Sequence, residues 1–110
     1  MNAGDLDTPV QFRRAMISDD GLAKAEEFYD HGPLVFAARR DISDGEKLKA
    51  GEALASVTTR FTVRWSPLTA DVTPKDRVVC DGREYQIVGI KATGGRQEAF
   101  EITAASRSDL

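Results

Sequence analysis

Alternation of apolar and polar side chains is clearest from position 56 onward, where Val57, Thr59, Phe61, Val63 and Trp65 fall on one side and Thr58, Arg60, Thr62 and Arg64 on the other. A period of two is what a strand with one buried face requires, so this stretch predicts the longest strand of the chain, ending at Pro67. Just upstream, Ser43 and Glu46 stand at capping-box spacing, which predicts a short helix starting near Asp44. Its apolar face, Leu48 and Ala55 with the small Ala50 and Gly51, is narrow, so the helix is expected to lie on the sheet surface.

A first strand is predicted over 9–16, with Pro9 at its first position and Val10 and Phe12 on its buried face. A second is predicted over 34–42. The strongest local signal is Val78-Val79-Cys80, then Asp81-Gly82, then Glu84-Tyr85-Gln86-Ile87-Val88: Asp-Gly supplies the positive φ angles of a type I′ hairpin turn. Gly94-Gly95 predicts the next turn, joining 87–92 to 99–104, and residues 106–110 are expected to fray. Between the first two strands, Asp19-Asp20-Gly21 marks a turn, and 22–29 offers at most a helical turn or two without a full apolar stripe. Residues 18–33 therefore read as a long excursion, and 67–74 as a surface loop.

These elements predict a mainly β fold: a small closed or partly open β-barrel (SH3-like) of five to six antiparallel strands, with one short helix and a long excursion loop. With 110 residues, 41% apolar and 30% charged, the chain is sized for a single domain, 1–110, around one core. Phe61, Trp65 and Tyr85 are assigned to that core rather than to base stacking. The lone Cys80 sits in an apolar run, so burial is expected and no intrachain disulfide can form. An acidic, polar N-terminus and no apolar stretch of membrane-spanning length point to an aqueous setting without a signal peptide or membrane contact.

The net charge of −3 argues against a general nucleic-acid coat. The charge is uneven: residues 1–32 hold three basic and seven acidic side chains, and the remaining 78 hold twelve and eleven. Either the acidic segment is a solvated loop, or Asp19, Asp20, Glu26 and Glu27 meet a basic surface on a partner. Arg60 and Arg64 pose the same choice, between a solvated exterior and a seat for a carboxylate or phosphate.

Catalytic chemistry lacks its parts. One His and one Cys far apart do not make a zinc site, and His31, beside Asp30, has no nucleophile in a recognisable elbow near it. Gly94-Gly95 is followed by no lysine and hydroxyl at phosphate-loop spacing, and the adjacent carboxylates of Asp19-Asp20 and Glu26-Glu27 diverge. We expect no enzyme, no metal and no cofactor.

The order of motifs along nearly the whole chain resembles the phage head-tail joining family of head completion proteins, including its prophage and gene-transfer-agent members. The resemblance runs through Ala3-Gly4-Asp5-Leu6-Asp7 and the strand Val10-Gln11-Phe12-Arg13-Arg14. It continues through Asp44-Gly45-Glu46, the Thr59–Trp65 strand and Thr73-Pro74-Lys75-Asp76-Arg77-Val78-Val79, and ends with 81–90. One departure is that members carry a tryptophan on the strand after the first long loop, where Phe36 is here the nearest large apolar anchor and would replace it in the core.

The resemblance implies a homo-oligomeric ring, hexamer or dodecamer, between the portal or adaptor of a filled head and the tail. Its other partners would be tail terminator or tube proteins, and genomic DNA would pass through without sequence-specific contact. The setting would be the virion, assembled in the host cytoplasm. In that frame the 18–33 excursion is the candidate arm, and Arg39, Arg40, Arg60 and Arg64 are the nominees for the basic face it meets. Residues 66–75 could line the channel or meet the tail. The alternative is a free-standing barrel that binds a peptide or nucleic acid.

Overall fold

The computed structural model describes residues 3–19, 21, 24–42 and 56–107. Its strands are β1 (Thr8–Asp19), β2 (Lys24–Asp30), β3 (Val35–Asp41), β4 (Ser56–Arg64), β5 (Arg77–Cys80), β6 (Arg83–Thr93) and β7 (Ala99–Arg107). Among the described residues one short helix, α1 (Pro67–Asp71), joins β4 to β5, and a 3₁₀ turn spans Ala3–Asp5. The helix expected near Asp44 lies outside the described residues.

All strand pairings are antiparallel, in the order β2-β1-β3-β4-β7-β6-β5, and β5 returns to pair with β1. That last pairing closes a barrel of six strands and leaves β2 outside it. The expected mainly β barrel is present, in its closed form. A register shift between Ile87 and Gly89 on β6, with Val88 turned out to solvent, adds the local bend that closure of so small a sheet needs.

The interior is one cluster including Val10, Phe12, Ala37, Phe61, Val63, Val78, Cys80, Tyr85, Ile87, Ile102 and Ala104. Phe61 meets Tyr85 edge to face, with ring centroids 5.4 Å apart at 82°. Thr59, Phe61 and Val63 are buried as the alternation on β4 predicted, but Thr58, expected on the opposite face, is buried as well, and Trp65, just past the strand, is only partly buried. The β5–β6 turn is the expected one: Asp81 and Gly82 have φ of 54° and 76°, the left-handed values of a type I′ turn.

Four expectations are corrected. The 18–33 excursion is not a loop with helical turns; β1 runs on to Asp19 and returns as β2, so most of it is a β-hairpin. Phe36 does not anchor the core, because Ala37 takes the inward position of β3 and Phe36 points out, 58% exposed. Residues 67–74 are not simply a surface loop: α1 covers one end of the barrel, with Thr69 and Asp76 buried and Val72 packed into the core. Finally, Ser106 and Arg107 belong to β7, paired with Val57 and Ser56, rather than to a frayed tail.

α1 has a sequence signature of its own. Ser66 caps it by accepting from the Thr69 N–H at 3.0 Å, Thr69 Oγ1 accepts from the Ser66 N–H at 2.8 Å, and Pro67 occupies the first turn. Gly32, at φ 79°, allows the β2–β3 connection to press on α1, since a Cβ there would stand 2.8 Å from the Leu68 side chain.

The contrast between the two phenylalanines is testable. Phe61→Ala should cost about 3–5 kcal/mol and Phe36→Ala less than about 0.5 kcal/mol, read from urea unfolding midpoints.

Candidate functional site

Strand β1 is used on both edges. Thr8, Pro9 and Val10 pair with β3, Gln11, Phe12 and Arg13 pair with β5, and from Arg13 to Asp19 it pairs with β2. Arg13 itself lies between Asp30 on one side and Arg77 on the other. Arg77 is the first residue of β5, so residues 14–19 have no partner on that edge and leave the barrel with β2 as a two-stranded ribbon.

Period two divides the ribbon into two faces. Arg14 and Met16 lie opposite Tyr29 and Glu27, and Ala15 and Ile17 lie opposite Phe28 and Glu26. Both long apolar side chains are in solvent, Met16 at 62% and Ile17 at 70% exposure. Glu26 and Glu27 are also exposed, and Glu27 accepts from the Tyr29 hydroxyl at 2.5 Å, which raises the pKa of that phenol. At the base, the Arg77 guanidinium lies 3.8 Å from the Phe28 ring centroid, and Arg13 Nη2 donates to the Phe28 carbonyl at 2.6 Å.

Where the ribbon leaves the barrel, a polar clamp holds it. Arg14 falls on the inward side of β1, in line with Val10 and Phe12, and a guanidinium there requires buried partners. It donates through Nε and Nη2 to both oxygens of Asp76, each at 2.9 Å, in the bidentate geometry that suits a carboxylate. Nη1 donates to Asp71 Oδ2 at 2.7 Å and Nη2 to the Asp71 carbonyl at 2.8 Å. Asp76, 2% exposed, also accepts from the Thr73 N–H at 2.8 Å, and His31 Nε2 lies 3.0 Å from Asp71 Oδ2. The partner of His31 is thus Asp71, forty residues away, rather than the adjacent Asp30, which faces Arg13 at 3.6 Å.

Charge states follow from this geometry. Burial pushes the Asp76 carboxyl up, but hydrogen bonds from Arg14 and the Thr73 N–H outweigh it and hold the pKa below the ordinary aspartate value. Asp71 is also lowered, by its hydrogen bonds to Arg14 and then His31, and Arg14 is raised, chiefly by its hydrogen bond to Asp76. Groups lowered on folding contribute their stability above their unfolded pKa and lose it as pH falls through the folded one.

The structure separates the proposed basic residues. Arg39 has the inward parity of Ala37 and sits at the barrel end opposite α1. There Nη2 donates to the Tyr85 hydroxyl at 3.4 Å, Nη1 approaches Cys80 Sγ at 3.8 Å, and Nε donates to Asp41 at 3.3 Å. Arg40 and Arg60 are cross-strand partners on the outer face of β3 and β4, and Arg64 is exposed farther along the same face. Arg60 lies 3.6 Å from Glu101, and neither Arg40 nor Arg60 is a free charge.

Of the proposed acidic residues, Glu26 and Glu27 stand on the ribbon and Asp19 ends β1, while Asp20 lies outside the described residues. The clamp of Arg14, Asp71, Asp76 and His31 was missed. Its one sequence signal is a charged residue at an inward position of β1. Among the described residues, no group of three or more His, Cys, Asp or Glu could hold a metal ion.

The described residues thus form a closed barrel with a projecting ribbon. Residues 1–107 match the phage head completion protein family, and the chain belongs to it. This is a family of structural proteins, and it places the chain in the virion of a phage or phage-like particle. A Shigella flexneri 2a protein known by its solution structure has a similar fold, at TM-score 0.72 and 21% identity over 94% of this chain and 95% of that one. So does a chain from the virion of a native gene transfer agent particle, at TM-score 0.67 and 20% identity over 93% and 94%. No match is found among curated proteins.

Two outcomes check the clamp. Arg14→Ala leaves Asp76 buried without its cation and should cost about 3 kcal/mol, the low end for breaking a buried pair because the Arg14 side chain is 34% exposed. The native chain should lose stability in urea titrations as pH falls below about 4, and that slope should shrink in Asp76→Asn, which starts less stable at neutral pH.

Proposed function

We propose that this chain is a connector subunit. Identical copies form a ring between the portal or its adaptor and the tail, close the DNA-filled head, and present the surface on which the tail docks. The observation that carries this reading, beside family membership, is the ribbon of residues 14–19 and β2. It stands outside the barrel with Met16 and Ile17 exposed, a geometry that folding alone does not call for.

Specific association buries on the order of 1,000 Å² or more, and a small barrel reaches that only if something projects from it. The ribbon is that projection. It carries Glu26 and Glu27, with Asp19 at the end of β1, and the basic surface it meets is the β3–β4 exterior with Arg40, Arg60 and Arg64. Arg39, turned into the barrel end, is not part of that surface. DNA passes such a ring without base-specific contact, in keeping with a net charge of −3.

Electron microscopy of particles made without this chain should show filled heads lacking tails. Normal tailed particles would rule the connector role out. Exchanging Glu26 and Glu27 for lysine should lower incorporation of the chain into particles about tenfold, with the unfolding midpoint of the isolated chain unchanged. Unaltered incorporation would remove the acidic ribbon from the assembly contact.

A further inference from the structure

Two sets of apolar side chains stand exposed on one copy. Ile17 is 70% exposed on the ribbon, opposite Glu26. Leu34 and Phe36, 59% and 58% exposed, stand at the start of β3, where Phe36 lies opposite Pro9.

Side chains on β1 alternate, so Pro9 and Ile17 point to the same outward face of the sheet, and Phe36, as the partner of Pro9, shares it. Eight residues of continuous strand hold Pro9 and Ile17 about 26 Å apart, so a copy cannot fold its own ribbon onto its own patch. Charge distinguishes the two sites as well. Ile17 is flanked by Glu26, while the patch adjoins Arg64, which follows the Ala37–Val63 pair on β4 as Phe36 precedes it on β3. An apolar knob with a carboxylate and an apolar patch with a guanidinium, kept apart by one rigid strand, are complementary only between molecules. A contact between two unlike surfaces runs head to tail, and it gives a ring where the rotation between copies closes.

We infer that the ribbon of one copy docks on the outer face of β3 of the next, with Ile17 against Leu34 and Phe36 and Glu26 facing Arg64. The inference rests on the connector reading and specifies its subunit contact. The occupant of the patch is a second copy of this chain because both halves of the match, apolar and ionic, are present on it.

Thiol crosslinking of the full chain in assembled particles tests this. Ile17→Cys, Phe36→Cys and the double variant are treated with a short bismaleimide, with the native chain as control because Cys80 is buried. The double variant should give a ladder of multimers of this chain. Particles containing a mixture of the two single variants should give dimers, and either single variant alone none. Dimers from Ile17→Cys alone would mean ribbon-to-ribbon pairing, and adducts to a different particle protein would mean another occupant. The absence of any adduct, with several copies of the chain present in the particle, would mean a ring built through other faces. Each of these overturns the docking and leaves the connector role standing. Tailed particles without the chain would sink the connector role, and the docking with it. As a second readout, Phe36→Glu, at an exposed position, should reduce incorporation about ten- to a hundredfold while far-UV circular dichroism and the unfolding midpoint stay native. Native incorporation of that variant would also overturn the docking.

Discussion

Strand β1 is longer than the barrel it closes. Its first half meets β3 on one edge and β5 on the other, and the β1–β5 pairing turns an open sheet into a barrel without a free edge at that seam. The same continuous backbone then extends past Arg77, the first residue of β5, as half of the ribbon. Closure and projection are therefore one constraint: the ribbon inherits its direction from a strand that the barrel holds on both sides.

The clamp at Arg14 adds to that constraint where the strand leaves the barrel. A ribbon of two strands is marginally stable by itself and free to twist. Anchoring its root through a bidentate ion pair to a buried carboxylate, itself held by the Thr73 N–H, couples it to α1 and the segment after it. The two ends of the barrel are consequently unlike. One is covered by α1 and carries the projecting ribbon; at the other, Arg39 reaches over Tyr85 and Cys80.

Membership of a head completion family agrees with this economy of chemistry. The polar side chains of the clamp position backbone, and the side chains left in solvent on the ribbon include Met16, Ile17, Glu26 and Glu27.

Much of the barrel was legible in the residues. Alternation on β4, the Asp81-Gly82 turn and the Gly94-Gly95 turn are local signals, because a buried face and a left-handed backbone each restrict residue type at the position itself. The ribbon was not legible: β2 lies outside the barrel and reads Lys24-Ala25-Glu26-Glu27-Phe28-Tyr29-Asp30, without the alternation that a buried face imposes. Phe36 was misplaced for a related reason. In Val35-Phe36-Ala37 either parity supplies an apolar side chain, and only pairing with β1 and β4 decides that Ala37 goes in. The sequence by itself determined that a mainly β barrel would form and where its tight turns fall. Tertiary structure alone decided which strand closes it, that Arg14 finds Asp76 sixty-two residues away, and that Arg39 turns inward while Arg40 turns out, because each depends on pairing register between segments distant along the chain.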